Sequence, residues 1–319
     1  MSAKKGKLAI YWAASCGGCE IAILAINEKI LDVAAAFDVV FWPCATDGKV
    51  RDVEKMADGE IDLCLFNGSI RTSEQEYMAQ LMRRKSKVLV AFGSCAHEGC
   101  IPGLANVNSR KSIFDEVYKQ QFSTENPNGT YPQHEVKVPE GSLHLPIFYD
   151  SVRTLDQTVE VDYYLPGCPP TPELFVAALE DPGGIKSNRI VCLECRRKKD
   201  KSQRPEHLVG FQLGKVAPEL CLINQGFLCV GSSTRNGCGA PCPRAGHPCV
   251  GCRGPSDNFI EKESSAWLES IQNVFATMTD IPSEEVKAGL LSPQMAMFLF
   301  QFSDYATSQR PPRPKEKVL

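Results

Sequence analysis

Eight cysteines crowd into residues 192–252 of this 319-residue chain, and they form four closely spaced pairs. Four thiolates hold one zinc ion or one iron–sulfur cluster, so eight of them supply two such sites. The same segment is rich in Gly and Pro and shows little hydrophobic periodicity, so we expect it to need metal in order to fold. The pairs are Cys192 with Cys195, Cys221 with Cys229, Cys238 with Cys242, and Cys249 with Cys252.

The first half of the chain alternates apolar, β-prone runs with segments of helical periodicity. This alternation predicts βαβ units and a parallel sheet. We therefore predict an α/β protein with a flavodoxin-like parallel sheet domain at residues 1–184. An irregular iron–sulfur domain with C-terminal helices and a tail follows at residues 185–319. The predicted strands lie at residues 7–13, 38–44, 61–66, 87–92 and 161–165, the predicted helices lie near residues 19–36, 49–57, 73–85 and 112–120, and residues 123–160 are expected to be a loop-rich insertion.

Four more cysteines directly follow predicted strands. Cys16 and Cys19 stand in SCGGCE after the first strand, Cys95 stands in GSCAHEG after the fourth, and Cys168 stands in LPGCPP after the last. The carboxyl ends of parallel strands meet at one edge of a sheet, so we expect these four thiols to converge there and bind a third cluster. Zinc in residues 192–252 would account for that segment but not for this site.

The remaining cysteines in the first half receive other interpretations. Cys44 and Cys64 lie inside predicted apolar strands, so we expect both to be packed core residues. Cys100 follows Cys95 by five residues and is interpreted as a neighbour of the site rather than a ligand.

Fifteen cysteines are many for a chain that begins MSAKKGKL, because this start lacks the apolar segment of a signal peptide and predicts a cytoplasmic location. Thiols stay reduced there, so a cysteine-rich pattern points to metal binding or catalysis. A net charge of −3 without a basic excess argues against nucleic-acid binding. No apolar run is long enough to span a bilayer, so we expect no membrane insertion.

The motifs SCGGCE, GSCAHEG and LPGCPP together resemble the small, electron-transferring subunit of NiFe hydrogenases. In that family the proximal cluster is bound by a C-x-x-C after the first strand, a Cys in G-[ST]-C-x-x-x-G and a Cys in P-G-C-P-P. The resemblance covers about residues 7–255. It implies that hydrogen is split at a nickel–iron site in a partner large subunit, and that this chain passes the electrons to an acceptor without a catalytic residue of its own.

The resemblance also implies three 4Fe–4S clusters. In membrane-bound and periplasmic members a His occupies the position of Cys192, and a Pro replaces the fourth ligand of a 3Fe–4S medial cluster. Here both sites have four cysteines, and more anionic ligation suits low-potential acceptors. The implied ligands are Cys16, Cys19, Cys95 and Cys168 for the proximal cluster, Cys238, Cys242, Cys249 and Cys252 for the medial cluster, and Cys192, Cys195, Cys221 and Cys229 for the distal cluster.

These features and the sequence segment CGGCEIA resemble the cytoplasmic viologen-reducing hydrogenases, which supply electrons to a heterodisulfide reductase. The resemblance implies an iron–sulfur or flavin acceptor subunit of that type. A deazaflavin-reducing hydrogenase is the main alternative within the superfamily, whereas NAD-reducing small subunits are typically shorter and lack the second cluster domain. A stand-alone iron–sulfur electron carrier would have the same cluster chemistry. A flavin protein is a weaker alternative, because thiols occupy the phosphate-binding turn.

Two residues near the proximal site have further meanings in this family. Cys100 resembles one of two extra cysteines of oxygen-tolerant members, but Gly17 and Gly18 stand where the other would fall, so we expect an ordinary proximal cluster. Glu20, next to Cys19, resembles a carboxylate at the subunit interface that relays protons. A glutamate favoured by the dipole of the helix's first turn is the alternative.

Overall fold

The computed structural model describes residues 4–185, 188–210, 216–260 and 266–291. Within them the chain forms two compact units, of which the first contains residues 4–20 and 27–164 and the second contains residues 21–26 and 165 onward. The domain limits predicted from the sequence, 1–184 and 185–319, stay a proposal. No helix in the described ranges is long and apolar enough to cross a membrane.

Five of the described strands form one parallel sheet, in the order β2-β1-β3-β5-β9. This is the strand order of a flavodoxin-like fold, so the predicted fold class is confirmed. The strands are β1 (Gly6–Trp12), β2 (Phe37–Phe41), β3 (Ile61–Asn67), β4 (Ile70–Thr72), β5 (Ser86–Phe92), β6 (Glu135–Val138), β7 (Gly141–His144), β8 (Phe148–Arg153) and β9 (Tyr163–Leu165).

The helices of the first unit lie close to the predicted positions. The continuous helix expected near residues 19–36 is instead interrupted, because Asn27 has a left-handed φ of 56° that an α-helix cannot contain. The helices of both units are α1 (Gly18–Leu24), α2 (Ile30–Ala36), α3 (Val50–Lys55), α4 (Ser73–Lys85), α5 (Ser94–Glu98), α6 (Cys100–Gly103), α7 (Arg110–Asp115), α8 (Pro172–Glu180), α9 (Pro241–Arg244), α10 (Asp257–Ile260), α11 (Ala266–Met278) and α12 (Ser283–Leu291).

The core of the first unit is built from the continuous apolar runs of the parallel strands, packed against α4. Cys64 in β3 is fully buried there, as predicted. The same prediction for Cys44 is wrong, because β2 ends at Phe41 and Cys44 lies exposed in the turn that follows. Pro43 has no N–H to continue a strand ladder, and the amides of Ala45 and Thr46 bond back to the carbonyl of Trp42.

The insertion at residues 123–160 contains more regular structure than the loop that we expected. Strands β6 and β7 form an antiparallel hairpin, and β8 pairs antiparallel with the short strand β4. Asn106 fixes β8 by two side-chain hydrogen bonds to the backbone of Val152, of 2.9 and 2.7 Å. Partners so far apart in the chain leave no local pattern in the sequence.

The second unit consists mainly of turns, with an apolar cluster beneath its C-terminal helices. Ile271 and Phe275 of α11 and Leu290 of α12 pack in one cluster with Val191, Phe227 and the side chains of Cys229 and Cys249. The predicted C-terminal helices are confirmed within residues 266–291. The predicted tail and the rest of this segment beyond residue 291 lie outside the described residues.

Candidate metal centres

Cys16 lies in the turn between β1 and α1, at the carboxyl edge of the parallel sheet, and Cys19 lies in the first turn of α1. Ala14 bridges to Ser69, and Ser15 Oγ donates a 2.7 Å hydrogen bond to Asn67 Oδ1, so the turn after β3 holds the turn after β1. Gly17 has φ +81°, and a Cβ there would lie 2.9 Å from the Trp12 ring. Only glycine fits this position.

Cys95 lies at the same edge, in α5 directly after β5, and its side chain is buried. Its carbonyl oxygen accepts a 2.7 Å hydrogen bond from Ser69 Oγ, so Ser69 joins the turns that carry Cys16 and Cys95. Cys168 follows β9 by three residues, belongs to the second unit and is exposed. Cys100 is buried and has an unusual left-handed φ of 44°.

Glu20 is a buried carboxylate in the first turn of α1, only 6% exposed. Its two oxygens accept hydrogen bonds from Trp42 Nε1 at 2.5 Å and from Asn67 Nδ2 at 2.6 Å. Burial raises the pKa of Glu20, while hydrogen bonds from Trp42, Asn67 and the Cys44 thiol oppose the shift. The sequence analysis missed that Cys44 contacts Glu20. Pro43, which ends the apolar run, could have indicated that Cys44 lies in a turn after the strand.

One group of thiols in the second unit surrounds Cys192, which lies in a tight turn at Val191–Leu193. The pKa of Cys192 is raised to about 12, mainly by burial and in part by the thiols of Cys221, Cys195 and Cys249, while Lys199 opposes the shift. The pKa of Cys229 is also raised to about 12, mainly by burial and in part by the neighbouring thiols of Cys192 and Cys221.

A second group surrounds Cys252. Burial raises the pKa of Cys252 to about 12, with further contributions from the thiols of Cys249, Cys238 and Cys242. Cys242 lies in the single turn of α9. Within the described ranges no three His, Cys, Asp or Glu side chains could hold one metal ion. In a four-iron cluster each thiolate binds a different iron atom.

The basic run at residues 196–201 is partly structural. Arg197 donates from Nε to the carbonyl of Pro243 at 2.6 Å and from Nη1 to the carbonyls of Ala217 and Leu220. It thereby ties the loop after Cys195 to the segments that carry Cys221 and Cys242. Lys198 forms an exposed salt bridge with Glu219, so only part of this run is available to a partner.

Comparisons with known proteins identify the family. The family model described as NADH ubiquinone oxidoreductase, 20 Kd subunit, matches residues 16–181. The iron-sulfur subunit of the F420-non-reducing hydrogenase of Archaeoglobus profundus is 39% identical over 263 residues, which cover 78% of this chain and 82% of the relative. This chain is a small subunit of the F420-non-reducing NiFe hydrogenase family.

Other relatives agree with this membership. The corresponding vhu subunit of an F420-non-reducing hydrogenase from Methanocaldococcus jannaschii is 36% identical over 87% of this chain and 91% of its own length. The gamma subunit of the coenzyme F420 hydrogenase of Methanosarcina barkeri is 29% identical over 72% of each. A [NiFeSe] hydrogenase from Desulfovibrio vulgaris Hildenborough shares the fold, with a TM-score of 0.52, 15% identity and coverage of 82% of this chain and 98% of the other.

As a hydrogenase small subunit, the chain binds iron–sulfur clusters and works with a large subunit that contains the nickel–iron site. Two hydrogen bonds from backbone amides to sulfur connect its cysteine groups in the second unit. The amide of Cys168 donates to the thiol of Cys252, and the amide of Cys249 donates to Sγ of Cys229 at 3.3 Å. The implied medial set therefore contacts one residue of the implied proximal set, through Cys252, and one residue of the implied distal set, through Cys249.

Proposed function

We propose that this subunit passes electrons from hydrogen oxidation in the large subunit, through three 4Fe–4S clusters, to a low-potential acceptor complex of the heterodisulfide reductase type. The observation that carries this proposal is the pair of amide-to-sulfur hydrogen bonds, because they connect three cysteine sets in series. The receiving subunit would be an iron–sulfur or flavin protein. A cytoplasmic location stays a prediction, which cell fractionation tests.

The ligand assignment combines the motifs with the observed thiol neighbours. The thiols of Cys221 and Cys195 influence Cys192, and those of Cys249, Cys238 and Cys242 influence Cys252, which supports the distal and medial sets. Cys249 also influences Cys192, so the two sets lie close to each other. The proximal set, which includes Cys168, rests on its three motifs and on their positions after β1, β5 and β9. When bound, the clusters would supply one-electron redox chemistry, and the chain would hold them by thiolates.

Backbone amides of this chain would then adjust the reduction potential of each cluster. The thiol of Cys229 accepts hydrogen bonds from the amides of Gly231 and Cys249, and the thiol of Cys249 accepts one from the amide of Gly251 in its own loop. Such bonds to sulfur stabilise added negative charge and raise a cluster's potential. They oppose the lowering effect of a complete set of four thiolates.

Two exposed apolar surfaces are candidates for the partner interfaces. In α1, two and five residues after Cys19, Ile21 is 67% exposed and Leu24 is 58% exposed, although the helix buries Ala22 and Ile23. We assign this surface to the large subunit. Leu193, which is 68% exposed between Cys192 and Cys195, is assigned to the acceptor.

Glu20 is part of this proposal as a proton relay at the large-subunit interface. It lies next to Cys19 and is held by Trp42 and Asn67, so its carboxyl group has a fixed orientation. Burial raises its pKa, which brings the protonated form closer to neutral pH. The position of Glu20 in the first turn of α1 also fits a purely structural role, and substitution distinguishes the two.

The acceptor is tested on the purified native complex. Iron, nickel and the co-purifying chains are determined, and hydrogen-dependent reduction of methyl viologen, coenzyme F420 and a heterodisulfide substrate is measured. We expect nickel in a large subunit and reduction of viologen and heterodisulfide. Reduction of F420 would favour the deazaflavin branch, and a chain that is stable without a large subunit would favour the stand-alone carrier.

A further inference from the structure

Arg253 is only 1% exposed, and it is the largest fully buried residue in the described part of the protein. It directly follows Cys252, a residue of the medial set. A guanidinium group carries its positive charge at all ordinary pH values, and moving it out of water is costly unless nearby groups compensate. A cation in such a position therefore requires an explanation.

One end of the guanidinium group holds the loop that carries Cys168. Arg253 Nη1 donates a 2.9 Å hydrogen bond to the carbonyl oxygen of Pro166, two residues before Cys168. The amide of Cys168 donates in turn to the thiol of Cys252. Residues 252 and 253 thus hold residues 166–168 by two adjacent hydrogen bonds, which join a proximal-set loop to a medial-set loop.

The other end approaches the loop that carries Cys238. A Cβ at Gly237 would lie 3.3 Å from Arg253 Nη2. Glu194, from the distal-set loop, accepts hydrogen bonds from the amides of Gly237 and Gly239 at 2.8 and 2.9 Å. The ionisable neighbours that influence Arg253 are Arg235, Glu194 and the thiols of Cys238 and Cys252. Arg235 has its own salt bridge, to Asp257 at 3.6 Å.

We propose that Arg253 is a positioning and charge-compensating residue of the electron route, which holds the Cys168 loop against Cys252 and raises the reduction potential of the medial cluster. The inference rests on the ligand sets of the proposed function. Each electron added to a site with four thiolates increases its negative charge. A buried cation beside two of those thiolates stabilises the reduced form, because the interaction is strong where water is excluded.

The experiment compares Arg253→Gln with Arg253→Lys in the intact hydrogenase complex. Each cluster is titrated electrochemically and followed by electron paramagnetic resonance. In Arg253→Gln we expect the reduction equilibrium constant of the medial cluster to fall about tenfold, which is about 59 mV for one electron. In Arg253→Lys, which keeps the charge, the constant should stay within about threefold of the native value.

Two further variants serve as controls. Arg204 also donates to backbone carbonyls in the second unit, and it pairs with Asp280 at 2.9 Å. Arg204→Gln should leave the reduction potentials of all clusters unchanged. Glu194→Gln removes a negative charge that is hydrogen-bonded to the amide of Gly237, so it should raise the medial potential. If Arg253→Gln lowers the medial potential and Glu194→Gln raises it, the shifts arise from the change in charge and not from a general loosening of the loops.

The proposal is overturned if Arg253→Gln retains all its iron with unchanged potentials, or if Arg253→Lys lowers the medial potential as much as Arg253→Gln does. If Arg253→Gln does not assemble, the proposal is supported by a native medial potential in Arg253→Lys together with a raised medial potential in Glu194→Gln, and it is overturned if Glu194→Gln leaves that potential unchanged or lowers it. Failure of the proposed function is separate, because it would appear in the native complex as fewer than three four-iron clusters.

Discussion

The amide of Cys249 donates a hydrogen bond to Sγ of Cys229 over 3.3 Å, so a residue of the medial set touches a sulfur of the distal set. Both side chains are buried in the apolar cluster beneath α11 and α12. A direct bond in a water-free environment keeps the two groups of thiols at a fixed separation. The same type of bond joins Cys168 to Cys252.

The first prediction concerns the metal content. Twelve cysteines in three sets of four should bind about twelve iron atoms per chain, because each 4Fe–4S cluster takes four thiolates. Iron and acid-labile sulfide are measured on the anaerobically purified complex, with nickel as the internal standard for the large subunit. Zinc bound by residues 192–252, or a 3Fe–4S signal in the oxidised enzyme, would contradict the assignment.

Replacing Cys242 by Pro should convert the medial site toward a 3Fe–4S cluster and raise its potential. Cys242 lies in the first turn of α9, where a proline is tolerated because amides there have no partner within the helix. We expect slower electron delivery to low-potential acceptors, with hydrogen activation in the large subunit unchanged. Cys64→Ala is the matched control, which should cost about 1 kcal/mol of stability but no iron. Unchanged cluster spectra in Cys242→Pro would mean that another residue is the fourth ligand.

Cys95→Ser and Cys100→Gly should have opposite outcomes. Cys95→Ser removes a proposed ligand, so it should destroy the proximal cluster spectrum and uncouple hydrogen oxidation from the acceptor. Cys100→Gly should leave the spectrum intact, and the stability should change by no more than about 1 kcal/mol, because glycine adopts the left-handed φ of 44° without strain. The assignment is wrong if Cys100→Gly changes the spectrum and Cys95→Ser does not.

Glu20→Gln tests the proton relay. The substitution keeps the shape of the side chain but removes its acid group, so hydrogen oxidation should slow about 100-fold while the iron content stays complete. Hydrogen–deuterium exchange by the complex is the direct measurement. Glu28→Gln, at an exposed position shortly after α1, is the control and should be active. Full exchange activity in Glu20→Gln would leave Glu20 with only its structural role.

Ile21→Asp and Leu193→Asp test the two proposed interfaces against each other. A charge at Ile21 would be buried at the interface with the large subunit, so the subunits should no longer co-purify. Leu193→Asp should retain the large subunit and hydrogen-dependent viologen reduction, but should lose electron transfer to the protein acceptor. If the two variants exchange these effects, the surfaces are assigned the wrong way round.

Much of the first unit follows from local patterns in the chain. The predicted strands and α4 agree with the structure within a few residues. Apolar runs in the strands and the Thr72 N-cap of α4 are local signals that involve only neighbouring residues in the chain. The prediction for Cys44 failed, because an apolar run does not show where a strand stops when Pro43 begins a turn. The pairing of β8 with β4 also left no local sign.

The sequence by itself determined the type of metal chemistry and the family, because cysteine spacing and strand-end motifs are readable residue by residue. Only the tertiary structure decided which groups surround each thiol. Arg253 and Pro166 are 87 residues apart in the chain, and Glu20 and Asn67 are 47 apart. Contacts over such distances depend on how whole segments pack, and burial then determines how strongly each charge acts.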